Sequence, residues 1–181
     1  MALATMEPDQ LEVRPVFAED LAALYRLAAV CGTTWHRLSF GASPSPHDLP
    51  AVLQHNLVHH LVVEDRQQGI VGYAALFDGD EAAGRVRLEV VVGPGRAARA
   101  WRAELTSAAV AQAFDNWPFD KVSAIHHGFE RSPFDDLGLP VLEEGCLREC
   151  YLHAGTYWDR YFTAVWRDGL PGAVSHEGSD R

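Results

Sequence analysis

Lysine is almost absent from this chain. Lys121 is the single one among 181 residues, and arginine supplies the other fixed positive charges. Acidic residues exceed basic ones far enough to give a formal net charge of −10. A chain of that sign is poorly suited to a nucleic-acid backbone or an anionic membrane surface. Cysteine is scarce too, with only Cys31, Cys146 and Cys150, and none of them forms a CxxC pair. Neither a metal site nor a disulfide framework is therefore expected. On one strand Cys146 and Cys150 would lie about 13 Å apart, too far to bridge. No apolar run approaches a membrane span, and Met1–Gln10 lacks the basic start and apolar core of a signal peptide. A reduced, cytoplasmic protein with no membrane and no nucleic-acid partner is the expectation.

What is present is material for a core. The chain is 48% hydrophobic, with five Trp and eight Phe, which suits one domain. That domain is expected over 11–167, between a loose tail at 1–10 and a polar tail at 168–181. No internal repeat or low-complexity block divides it.

The stretch from Arg85 to Asn116 organises the rest. Arg85–Val92 is rich in β-branched residues and reads as a strand. Gly93-Pro94-Gly95 breaks it, because Pro removes a ladder donor and Gly permits unusual backbone angles. From about Ala97 to Phe114 the residues are helix formers without Gly or Pro, so a long helix follows. Strand, turn and helix N-terminus together make a recurrent anion site of free N–H groups and positive dipole. Arg96, Arg99 and Arg102 reverse the sign of the chain there. A phosphorylated ligand is one reading, and an ordinary junction with solvated arginines is the other.

Around this centre the pattern predicts a short strand at Leu11–Pro15 and an amphipathic helix at Leu21–Val30. The segment from Cys31 to Pro50 has no clean period, yet carries Trp35, His36 and Phe40. These aromatics either plug the core or line a cleft. A short helix is expected over Asp48–Asn56. His60–Asp65 and Ile70–Phe77 read as a hairpin, and Lys121–His126 as a strand parallel to Arg85–Val92. Ser132–Asp136 suggests one helical turn, and Cys146–His153 with Thr156–Trp166 a closing hairpin. His59 and His60 suggest no metal site, since neighbours on a strand face opposite ways.

This order, with the closing run LGLPVLEEGCLRECYLHAGTYWDRYFTAVWRDG, resembles the GCN5-related N-acetyltransferase family over about Leu11 to Trp166. Gly138, Glu144, Gly145, Leu147, Arg148, Gly155 and Asp159 fall in step with its ribosomal-protein-alanine and spermidine acetyltransferase branch. The resemblance implies a single α/β (α+β) domain: a mixed, mostly antiparallel sheet of about seven strands with flanking helices. It also implies acetyl-CoA or another acyl-CoA as donor, an amine of a small molecule or protein as acceptor, and leaves a homodimer open. After Val92-Gly93-Pro94, relatives carry Arg/Gln-Gly-x-Gly-x-Gly/Ala, where this chain has Ala97, Ala98, Arg99, Ala100, Trp101 and Arg102. Gly95–Trp101 would hold the pyrophosphate through main-chain N–H groups, assisted by Arg96 or Arg99. Val91 and Val92 would bind the pantetheine arm, and Ser132 the pantetheine or phosphates.

By the same resemblance Glu89 is the base for the acceptor amine, against the alternative of a strand glutamate paired with Arg87 or another surface arginine. His126 or His127, at the end of the fifth strand, is the rival acid or base. Relatives place a tyrosine acid after that strand, where this chain has none, so Tyr151, Tyr157, Tyr161 or water is expected to serve. Trp35, His36 and Phe40 are the candidate acceptor wall. The expected function is N-acyl transfer. The alternatives are a non-catalytic binding module of the same fold, or a transferase using a carrier-protein thioester.

Overall fold

In a computed structural model of the chain, residues 11–31 and 44–169 are described. β1 (Leu11–Pro15) leads through a 3-10 turn into α1 (Leu21–Cys31), and α2 (Leu49–Gln54) precedes β2 (Leu57–Asp65). β3 (Gly69–Asp80) and β4 (Arg85–Val92) complete a meander, and α3 (Ala98–Asn116) crosses back to β5 (Lys121–His127). β6 (Leu142–His153) and β7 (Thr156–Trp166) close the chain as a hairpin.

The seven strands lie in the order β1-β2-β3-β4-β5-β7-β6, and the β4–β5 pair alone is parallel. The parallel pair follows from α3, since a long helix between two strands returns the chain to the starting edge of the sheet. Turn chemistry sets the first hairpin. Asp65 Oδ1 accepts from the N–H groups of Gln67 and Gln68 at 2.9 and 3.0 Å, and Gly69 supplies φ +76°.

Two apolar layers cover the sheet. Val86, Leu88 and Val90 of β4 pack with Trp101, Leu105, Ala109 and Ala113 of α3. These helix positions recur every four residues and so share one face. Val62, Tyr73, Ala75 and Val91 pack instead with Leu24, Leu27, Leu49 and Leu53 of α1 and α2. β4 is thus covered on both sides toward its end, which is why Val90, Val91 and Val92 follow one another without a polar residue. Burying each such Leu contributes about 1.5–3 kcal/mol. Gly72 lets α3 approach β3: a Cβ there would lie 2.8 Å from Val63 Cγ1 and 3.3 Å from Leu105 Cδ2.

The predicted strands and the three longer helices are present, with shifted ends. β2, β3 and β6 are longer than the sequence suggests, and α2 is shorter. Ser132–Asp136 forms hydrogen-bonded turns, Asp135 N–H to Ser132 O and Leu137 N–H to Phe134 O, without a helix.

Candidate functional site

β4 and β5 stay paired only from Arg85–Lys121 to Leu88–Ala124. Beyond that, β4 follows β3 as far as Val92, while β5 follows β7 as far as His127. Each strand is held by its outer neighbour in a twisting sheet, so the two part and leave a wedge. Gly93 donates its N–H to Val71 O at 2.8 Å, which fixes the alternation of β4. Val91 turns its main-chain groups toward β3, and Val90 and Val92 turn theirs into the wedge. The Cys31 thiol, pushed up to about 11 by burial and hence protonated at neutral pH, donates to Val92 O at 3.3 Å.

Above the wedge, the exposed Gly95 and Arg96 lead into α3. The N–H groups of Ala98 and Trp101 bond to the carbonyls of Gly95 and Ala97. Those of Arg96, Ala97, Arg99 and Ala100 have no backbone acceptor among the described residues. The Trp101 indole, 1% exposed, packs beneath the turn, its ring edge 3.1 Å from where a Cβ on Gly95 would sit. α3 has no acidic residue in its first turn. Arg99 in that turn opposes the helix dipole, unfavourable by about 0.3–1 kcal/mol, with Arg96 and Arg102 flanking it. Arg99 is compensated by Asp136, its Nη2 2.5 Å from Oδ1. That ion pair ties the β5–β6 loop, which carries Ser132, to the turn. Ser132 is 7% exposed, and its Oγ accepts the Phe134 N–H at 3.3 Å.

Glu89 is the first β4 residue past the last paired rung, and it is 5% exposed. Arg87 pairs with Asp78 at 2.9 Å, so an Arg87–Glu89 pair is not what anchors the glutamate. Glu89 lies on the α1/α2 face, across from Ala75 and beside Tyr73. Burial, and then the Glu89 carboxylate, push the Tyr73 hydroxyl far up, so it stays protonated.

Alternation separates the two candidate bases. Val122 and Ala124 face α3, which puts His126 on that face too, stacked on Tyr161 at 5.2 Å. His127 takes the face that Glu89 occupies. It is 2% exposed, its Nδ1 3.1 Å from Glu130 Oε2 and its Nε2 3.4 Å from Arg160 Nε. Of the tyrosines, Tyr151 lies against His127 at 4.0 Å between ring centroids, and Tyr157 is 63% exposed. His59 packs on Trp117 and His60 on Tyr73, on opposite sides of β2.

The structure therefore gathers Val92, Gly95, Arg96, Ala97, Ala98, Arg99, Ala100 and Trp101 around one turn and wedge, with Glu89 at its floor, and Ser132 lies in the loop that Asp136 ties to that turn. It sets His126 on the other face from Glu89. Trp35, His36 and Phe40 lie outside the described residues. Sequence reasoning missed Cys31, Asp136 and Arg160. Counting alternation back from the apolar Val122 and Ala124 is the signal that would have selected His127. A cavity of about 480 Å³ lies on the other flank of Gly93-Pro94, lined by Arg14, Asp20, Arg26 and Glu64 among others. No described β5 residue lines it, so it is not the wedge.

No family model matches the chain, and no curated protein does. Solved structures do. A spermidine N-acetyltransferase from Vibrio cholerae, in complex with CoA and spermine, superposes with a TM-score of 0.70 at 18% identity, covering 89% of this chain and 98% of that one. A spermidine/spermine N-acetyltransferase from the same organism, in complex with manganese ions, gives 0.66 at 18% identity, covering 87% and 93%. A likeness of that extent, with the parallel pair and its wedge in place, gives this chain the fold of the GCN5-related N-acetyltransferases.

Proposed function

We propose that this chain is an N-acyltransferase that moves an acetyl or other acyl group from an acyl-CoA to an amine. The observation that carries this is the wedge between β4 and β5, capped by an N–H-rich turn and floored by the buried Glu89. The fold supports it, since proteins similar to this one act on spermidine and one holds CoA.

The residues present fit such a donor. Main-chain groups of Val90 and Val92 suit the amides of an extended pantetheine arm, once the Cys31 thiol leaves the Val92 carbonyl. Arg96, Ala97, Arg99 and Ala100 offer N–H groups to a pyrophosphate at the positive end of α3, with Gly95, Ala98 and Trp101 shaping the turn and Ser132 in the loop tied to it. The donor supplies a thioester carbonyl open to attack. Glu89, buried at the floor of the wedge, takes the proton that the acceptor nitrogen must lose. The hydroxyl of Tyr73, beside it, holds the carboxylate's surroundings polar without titrating. The cytoplasm is the setting this reading implies; no described helix is long and apolar enough to cross a membrane. The exposed Leu142, Leu147 and Leu152 of β6 are where a homodimer contact would form.

Glu89→Gln and His126→Ala test the assignment. Glu89→Gln is expected to lower kcat by roughly a hundredfold with acetyl-CoA affinity unchanged. His126→Ala, on the other face, is expected to stay within a few-fold. The reverse result would transfer the role to the histidine.

A second reading, a non-catalytic acyl-CoA-binding module, draws on the Arg99–Asp136 pair. An anion-binding arginine already neutralised by a carboxylate suits weak binding better than turnover.

A further inference from the structure

Along the face of the sheet that holds Glu89, the strands beyond the wedge carry a cation that no described carboxylate contacts directly. The register of β5 on β7 runs without a break, pairing His127 with Arg160. Val165 packs toward α3, so alternation sends Trp158 and Arg160 to the opposite face, with His127 and Glu89. Tyr151 and His153 join them from β6, through the Tyr151–Trp158 pairing and the Phe129–His153 stack at 4.4 Å.

Arg160 is partly exposed, and no described carboxylate lies within ion-pair distance of it. Its neighbours hold it in place instead. The Arg160 guanidinium carbon sits 5.9 Å from the centroid of the Tyr151 ring, and its Nε–H reaches His127 Nε2 at 3.4 Å. A neutral His127 satisfies both contacts when Nδ1 carries the proton, donating to Glu130 while Nε2 accepts from Arg160. The histidine and the tyrosine thus engage Nε and one face of the guanidinium. Its two terminal NH2 groups, the planar fork that matches a carboxylate or phosphate, are left for another partner.

On a chain of net charge −10, a partly exposed arginine that no described carboxylate contacts directly is not explained by general charge balance. Its place on the Glu89 face, one strand beyond the wall of the wedge, puts it where an acceptor would extend from the reacting nitrogen. We infer that the acceptor is an amine carrying an anionic group, carboxylate or phosphate, which Arg160 receives while its amine faces Glu89. This rests on the acyl-transfer reading above, and it predicts an acceptor unlike a polyamine, which has only positive ends.

Calorimetry of the native protein with matched probes tests it without needing a donor. The pairs are L-phenylalanine with L-phenylalaninamide, and O-phosphoethanolamine with ethanolamine, with spermidine alongside. The acidic member of at least one pair is expected to bind about tenfold tighter than its partner and than spermidine. Which pair discriminates identifies carboxylate or phosphate. Arg160→Met is expected to erase the preference, and Arg160→Lys to keep part of it, with melting curves showing that both variants fold. Equal or weaker binding of both acidic members overturns the inference, as does a preference that survives in Arg160→Met. Thiol release from acetyl-CoA with the same amines separates the two claims. Acid-selective binding without thiol release would leave the anion site standing and remove the transferase.

Discussion

Asp20 shows how much a single carboxylate contributes here. Its side chain is 6% exposed, and it accepts two hydrogen bonds from Arg14 at 2.7 and 2.9 Å and one from the Phe17 N–H at 2.8 Å. Arg14 chiefly, against the cost of burial, holds the Asp20 carboxyl below its ordinary 3.8. A carboxyl with a folded pKa below its unfolded value stabilises fully above the unfolded value and less as pH falls toward the folded one. Asp20→Asn is therefore expected to cost about 3 kcal/mol at neutral pH, and to flatten the loss of stability below about pH 4. Denaturant titrations at several pH values measure both, and an unchanged acid slope would place that slope elsewhere. The two arginines at the turn should also differ. Arg99 is already answered by Asp136, whereas Arg96 has no ion pair among the described residues. Arg96→Ala is expected to weaken acetyl-CoA binding more than Arg99→Ala, most clearly at low salt, where screening is least. Equal losses in calorimetry would mean that the Arg99–Asp136 pair opens for the ligand.

At the scale of elements, α3 and the turn before it depend on Trp101. The ring lies in the core under Gly95, and its Nε1 is buried without a hydrogen-bond partner. Trp101→Ala is expected to cost about 3–5 kcal/mol through the cavity it leaves. Trp101→Phe should cost far less, because it keeps most of the packing and removes an N–H that bonds to nothing. Equal losses in thermal unfolding would show that the indole N–H has a role. The elements themselves were legible because apolar periodicity changes from two to about four between β4 and α3. Their ends were not, for a local reason. β2 was expected from His60, β3 to Phe77 and β6 from Cys146, and each extends further past an irregularity in register. These lie between Leu57 and His59, Phe77 and Asp80, and Glu143 and Gly145. A bulge shifts the in-out alternation by one residue, which erases the pattern that a sequence reading follows.

For the whole molecule, the meander, the parallel pair and the closing hairpin follow from lengths and turns, whereas the place of β7 between β5 and β6 was not read from the sequence. The site was legible only in part. Glu89 and the Gly95–Trp101 turn lie within one continuous stretch of chain. Asp136, Cys31 and Arg160 reach the site from other elements, at sequence separations where no periodicity speaks. The choice between His126 and His127 needed the face of β5, which Val122 and Ala124 fix once α3 is known to cover them. The central claim is that this wedge receives an acyl-CoA and gives its acyl group to an amine. Titrating the native protein with acetyl-CoA in a calorimeter, then following thiol release on adding an amine panel, tests it most directly. The account predicts saturable binding with one site per chain, and thiol release that depends on both amine and Glu89. No binding of acetyl-CoA by the native protein would contradict it.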